Sequence, residues 1–157
     1  MKLTLLTVGK TAFSYLNEGI SVYSKRIEHY VNFNIVEIPE LKGAASLSME
    51  QIKEKEGELI FKKIKEGDYV TLLDERGKKF GSENWAHHLE RRIVYSNKDI
   101  VFVIGGAYGF SQKIYDRADE MLSLSEMTFS HQIIRVIFME QLYRAFTIIK
   151  GEPYHHK

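Results

Sequence analysis

The 157-residue sequence contains no cysteine. That excludes a disulfide scaffold, thiolate zinc sites and a cysteine nucleophile, and it fits a cytoplasmic protein. No apolar run approaches the ~20 residues that a membrane-spanning helix needs. The short apolar run after Lys2 stops at Gly9-Lys10, so no signal peptide is evident and no membrane partner is expected. Charge of one sign is also lacking: 22 Lys and Arg against 21 Asp and Glu leave a net +1. A bulk electrostatic footprint for nucleic acid is therefore missing. DNA is not an expected partner, and an RNA-binding surface would have to be gathered locally or by oligomerisation.

What is present is alternation. Lys2 to Val8, Phe33 to Ile38, Asp68 to Asp74, Asp99 to Ile104 and Met121 to Ser125 read as strands. Between and after them lie five helical patterns: from Ser14 to about Tyr30, from Ser48 with its Ser48/Gln51 capping box, from Ser82, from Ser111 to about Asp119, and through Ile133 to Ile149. The Lys/Glu run of the second helix reads as a solvated face. Glu75 to Lys78 reads as a turn. The expected fold is a single α/β domain over 1–157, a doubly wound, mostly parallel five-stranded sheet with helices on both faces. Ligands of such sheets bind beyond the carboxyl ends of the strands. Three loops occupy those ends: the ones after Leu73 and Ile104, and Glu126 to His131.

The last helix carries Ile133, Ile134, Val136, Ile137, Phe138, Met139, Leu142, Tyr143, Phe146, Ile148 and Ile149 on every side. A helix apolar all round is buried all round, by its own chain or by a second subunit. Glu140 and Arg144, four apart, can pair on one face. Arg135 sits beside the polar turn, where a structural and an active-site role are both open.

Motifs narrow the chemistry. Gly105-Gly106-Ala107-Tyr108-Gly109 follows a strand but lacks the Lys-Ser/Thr of a P-loop and the spacing of the dinucleotide fingerprint. It reads as either a tight turn or a loop permitting close backbone approach to a ligand. His87 and His88 read as surface or packing residues. No carboxylate joins His155 and His156 at metal-ligand spacing, so no metal site is expected. No G-x-S-x-G elbow is present. The Tyr, His and Lys residues of the C-terminal tail could stack on and contact nucleic acid.

From end to end the sequence resembles the ribosomal large-subunit pseudouridine methyltransferases of the RlmH type, small members of the SPOUT (trefoil-knotted) superfamily. The resemblance rests on MKLTLLTVGK, IKEKEGELI, VTLLDERGK, VFVIGGAYGF, LSLSEMTFSHQIIRV, EQLYRAF and GEPYHHK, in that order. It implies a C-terminal trefoil knot over about residues 70–150 and a homodimer. It implies S-adenosylmethionine as methyl donor, contacted by Leu73, Gly105, and Leu124, Ser125, Glu126, Met127, Thr128 and Phe129. It also implies methylation of N3 of a pseudouridine in 23S rRNA, with the assembled ribosome as substrate. Arg135, Tyr154 and His155 are the catalytic candidates, and Arg76, Lys78 and Lys79 are candidates for an RNA-facing rim. Two rivals are a catalytically idle SPOUT-like ribosome-binding protein and a flavodoxin-like or response-regulator-like module. The latter would want acidic or Ser/Thr-rich phosphate loops after the first strand, where Thr7-Val8-Gly9-Lys10-Thr11 stands.

Overall fold

A computed structural model describes residues 1–157. The strands are β1 (Lys2–Val8), β2 (Asn32–Ile38), β3 (Tyr69–Lys79), β4 (Ile100–Ile104) and β5 (Glu120–Ser123). The helices are α1 (Ser14–Ile27), α2 (Met49–Lys63), α3 (Ser82–Ser96), α4 (Gln112–Arg117) and α5 (Ile133–Ile149). One sheet of order β2-β1-β4-β3-β5 is parallel throughout. The expected alternation and helix placement are both present.

Period-two side-chain alternation explains the layers. Leu3 and Leu5 of β1 enter one core with Ile27 of α1, Trp85 and Leu89 of α3, and Phe138 and Leu142 of α5. Leu6 and Val8 enter the opposite core with Ile60 of α2 and Ile114 of α4. Central β4 is buried at all five positions because helices cover both its faces. The capping box of α2 forms: the Gln51 amide donates to Ser48 Oγ at 3.1 Å, and the Ser48 amide to Gln51 Oε1 at 2.9 Å.

Helix α5 lies between α1 and α3 against the sheet. At its crossing with α1, a Cβ on Gly19 would stand 3.3 Å from Val136. The tail then folds back over it, with Tyr154 edge-on to Tyr143 at 4.7 Å. Of the α5 side chains only Ile133 is exposed. Its own chain thus covers most of the all-round apolar surface, and burial of α5 does not in itself demand a partner.

The structure redraws some local boundaries. Glu75 to Lys78 is no simple turn, because β3 continues to Lys79 and Leu122 is opposite both Leu73 and Lys78. The intervening residues bulge outward at the sheet's end, a device common beside ligand sites. Helix α3 is capped by Gly81 rather than Ser82, whose hydroxyl instead donates to Gln141 at 2.8 Å. Ser111 is the N-cap residue of α4, but its hydroxyl makes no capping bond and lies buried against Gly57 of α2.

Where the β3 bulge rejoins β5, two backbones meet. A Cβ on Gly77 would lie 2.6 Å from Leu122 N and 2.6 Å from the Met121 carbonyl carbon. Backbone in a sheet cannot yield as a flexible side chain can. Gly77→Ala is therefore expected to cost about 3 kcal/mol, read as a lower denaturation midpoint by Trp85 fluorescence. Gly67→Ala, whose Cβ meets nothing within 4 Å, should stay within about 0.5 kcal/mol of the parent.

Candidate active site

Strands β4, β3 and β5 are neighbours, so the three loops at their carboxyl ends converge. They line a crevice of about 620 Å³, within the range of small-molecule sites. The first wall is Leu73 with the bulge residues Asp74, Glu75 and Arg76. The second is the glycine loop: Gly105, Gly106, Ala107, Gly109 and Phe110. The third runs from Leu122 to Ser125 and from Met127 to His131, closed by Ile134 of α5.

Backbone groups share the polar lining with side chains such as Asp74, Arg76, Ser125, Thr128 and His131. The amides of Gly105 and Ala107 donate to no group of the chain, while Gly106 and Gly109 pair across an antiparallel bridge in which the Gly109 amide donates to Gly106 O at 3.2 Å. In the third wall the Met127 amide is engaged by Ser125 Oγ at 3.0 Å. Peptide groups must find partners when covered, so free amides facing a crevice mark a place where a ligand or solvent supplies the acceptor. A side chain in place of Gly105 or Gly106 would also crowd the group behind it. A Cβ on Gly105 would stand 3.0 Å from the Phe110 ring, and one on Gly106 would stand 2.8 Å from the Glu56 carboxylate. Glu56 was part of a Lys/Glu run read as solvated. Its Oε1 is instead buried without a partner behind the glycine loop, and burial pushes its pKa up.

The bulge is braced from α4. The Tyr115 hydroxyl donates to Asp74 Oδ2, the Arg76 amide donates to Asp74 Oδ1 at 2.9 Å, and the Arg76 guanidinium stacks 4.6 Å from the Tyr115 ring centroid. Burial, then the bond to Asp74, raises the Tyr115 pKa. Neither Tyr115 nor Glu56 carried a sequence signal, since each lies on a helix remote in sequence from the loop it supports.

Seven of the eight cofactor candidates line the crevice: Leu73, Gly105, Leu124, Ser125, Met127, Thr128 and Phe129. Glu126 points away, pairing with Lys79 at 3.1 Å. The catalytic candidates lie elsewhere. Arg135 is fully buried and outside the crevice lining. Its Nη2 donates to Val8 O at 2.7 Å, Nη1 to Gly9 O at 3.0 Å and Thr11 Oγ1 at 3.1 Å, and Nε to His131 O at 3.0 Å. Burial works against its charge, while Glu37 and Glu40 favour it.

Tyr154 and His155 also miss their own chain's crevice. Arg144 donates to His155 Nδ1 at 3.0 Å and to Glu140 at 2.6 Å. Because a guanidinium only donates, Nδ1 is an acceptor, which leaves the Nε2 proton facing Glu83 Oε1 at 3.4 Å. Tyr154 stacks under Arg144 and reaches Glu140 at 3.3 Å. Its pKa is pushed up to about 12, chiefly by burial. No group of three or more His, Asp or Glu side chains converges at metal-binding geometry.

Residues 1–155 match the family described as "Predicted SPOUT methyltransferase". The chain belongs to the SPOUT methyltransferase family. It is 55% identical to the "Ribosomal RNA large subunit methyltransferase H" of Phocaeicola vulgatus over 157 residues, all of both chains. Proteins of the same name from Bacteroides fragilis and Flavobacterium johnsoniae are 54% and 48% identical over equal spans. A solved probable methylase family protein from Haemophilus influenzae superposes with a TM-score of 0.54 at 11% identity, covering 95% of this chain and 66% of that one. At that identity the likeness concerns the fold alone.

Among SPOUT methyltransferase residues here, Arg135 is the easiest to test as a structural tie. Arg135→Met orphans the Val8, Gly9 and His131 carbonyls, at about 1–3 kcal/mol each. A loss of about 3 kcal/mol or more should lower Tm by roughly 6–12 °C in calorimetry. An unchanged Tm would show that the guanidinium does not hold these loops.

Proposed function

We propose that the chain is an S-adenosylmethionine-dependent methyltransferase acting on N3 of a pseudouridine in large-subunit 23S rRNA. It works in the cytoplasm as a homodimer on assembled ribosomes. The observation that carries the cofactor assignment is the crevice at the ends of β3, β4 and β5, with the free amides of Gly105 and Ala107 on its glycine-loop wall and no phosphate cradle. A flat purine with hydrogen-bonding edges suits such walls, and Leu73, Leu124 and Phe129 supply apolar surface beside them. The rRNA substrate follows from the names of relatives aligned over the full length of both chains.

When bound, the donor would supply a methyl group activated on a sulfonium. The protein's part is to hold donor and base in line and to assist loss of the N3 proton. Gly105 to Ala107 and Leu124 to Phe129 would hold the donor. Arg76, Lys78 and Lys79 offer a basic rim for RNA, although Lys79 spends charge on Glu126. Tyr154 and His155 can reach substrate only if the tail leaves its present seat or serves the second copy's crevice. Support for a dimer comes from exposed apolar side chains around the crevice end of the sheet: Phe13 (51%), Tyr15 (62%) and Met127 (75%). The close meeting of Gly77 with the β5 backbone supports a chain crossing there, as the family's knot requires.

S-adenosylhomocysteine should raise Tm, by linkage of about 2.7 kcal/mol at a hundredfold excess over Kd, whereas NAD and FMN should not. Assembled ribosomes lacking the modification should be methylated far faster than naked rRNA. A Tyr154→Ala/His155→Ala variant should lose that activity while still binding S-adenosylhomocysteine. No stabilisation by S-adenosylhomocysteine would refute the methyltransferase reading. Efficient methylation of a short isolated stem-loop would refute recognition of the assembled particle.

A further inference from the structure

We infer that His131 is the proton acceptor in the transfer, its imidazole taking the N3 proton of the target base inside the crevice. The inference rests on the methyltransferase reading and adds the group that reading lacks.

His131 lines the crevice, and its ring makes no hydrogen bond within the chain. Its backbone, by contrast, is held. Arg135 Nε donates to its carbonyl at 3.0 Å, and the Ile133 amide donates to Ser130 Oγ at 3.1 Å. The Gln132 side chain accepts from the Ala12 amide at 2.8 Å and donates to Lys10 O at 3.1 Å. A pinned residue with an uncommitted ring is arranged to meet something that enters.

The other ionisable groups lining the crevice suit the task less well. Asp74 is committed to the Tyr115 hydroxyl and the Arg76 amide. Arg76 has no basic lone pair at working pH. Glu75 is an exposed carboxylate, a weak base for an imide N–H that ionises only above neutrality. A base titrating near the operating pH is the better match. Burial lowers the His131 pKa first and the nearby Arg135 charge lowers it further, with Glu40 opposing both. The ring therefore stays neutral at pH 7, with a lone pair available.

In the step, the N3 lone pair forms the N–C bond to the methyl carbon while the C–S bond breaks and sulfur keeps that electron pair as a thioether. The N3 proton passes to the free ring nitrogen of His131. The resulting imidazolium, disfavoured beside Arg135, returns the proton to solvent.

Three measurements on the full-length protein test this. NMR titration of the wild-type imidazole should give a midpoint below the ordinary ~6.5 of histidine; a ring that remains mostly protonated at about pH 7 overturns the proposal. His131→Asn should bind S-adenosylhomocysteine within threefold of wild type by calorimetry. Its single-turnover rate on unmodified ribosomes should fall by about 10²-fold or more. That rate should then climb with pH across the range where wild type is flat. A wild-type rate and pH profile in His131→Asn overturns the role of His131 alone. A wild-type protein that neither binds S-adenosylhomocysteine nor methylates ribosomes overturns the underlying reading together with it.

Discussion

The buried guanidinium of Arg135 is the interaction on which the functional end of the molecule depends. Where β1 leaves the sheet, the Val8 and Gly9 carbonyls turn toward the interior, and buried peptide groups cannot be left unpaired. Arg135 satisfies both, adds the Thr11 hydroxyl, and reaches forward to the His131 carbonyl. Four bonds from one planar group offset a desolvation cost that a lone buried charge could not bear. Glu37, 3.9 Å away, and Glu40 add favourable charge. The consequence is mechanical. The exit of β1 and the entry to α5, more than a hundred residues apart in sequence, become one rigid support for the third wall of the crevice.

The crevice itself follows from strand order. Placing β3 between β4 and β5 brings three carboxyl-end loops to one spot, as parallel sheets do at their ligand sites. Each loop is then shaped by something behind it. Tyr115 and Asp74 brace the bulge, Glu56 backs Gly106, and Arg135 holds His131. Polar recognition is shared between the lining side chains and peptide amides, which cost no side-chain entropy, and a Cβ at Gly105 or Gly106 would crowd Phe110 or Glu56. That arrangement is in keeping with the proposed donor, whose recognised parts are a flat base and a sulfonium rather than a phosphate.

Helix α5 and the tail show how one chain can cover an element that looks built for a partner. Helices α1 and α3 flank it, and Tyr143, Tyr154, Arg144, Glu140 and His155 close over its last turns. The same tail residues that resemble substrate-handling groups are, in the single chain, structural ligands of α5. Near the crevice Phe13, Tyr15, Met127 and Ile133 are exposed, while Met49, Val94 and Tyr95 are exposed elsewhere on the surface. The proposed dimer would therefore cover the site's surroundings more than the helix.

The sequence by itself determined the layered architecture. Period-two and period-3.6 patterns are local, and strands such as IVFVI admit no reading but burial on both faces. It also determined the three loops, because turn chemistry at strand ends is local too, and the Ser48/Gln51 box was legible for the same reason. Only the tertiary structure decided that Arg135 faces β1 rather than the crevice, and that Glu75 to Lys78 is a bulge pressed onto β5. It alone revealed that one carboxylate oxygen of the half-buried Glu56 is shut away within a run of solvated charge, and that the His131 ring is free. The first three depend on partners about 45 to 127 residues away. Pairing at that distance is set by strand order and packing, which leave no mark on the neighbouring residues.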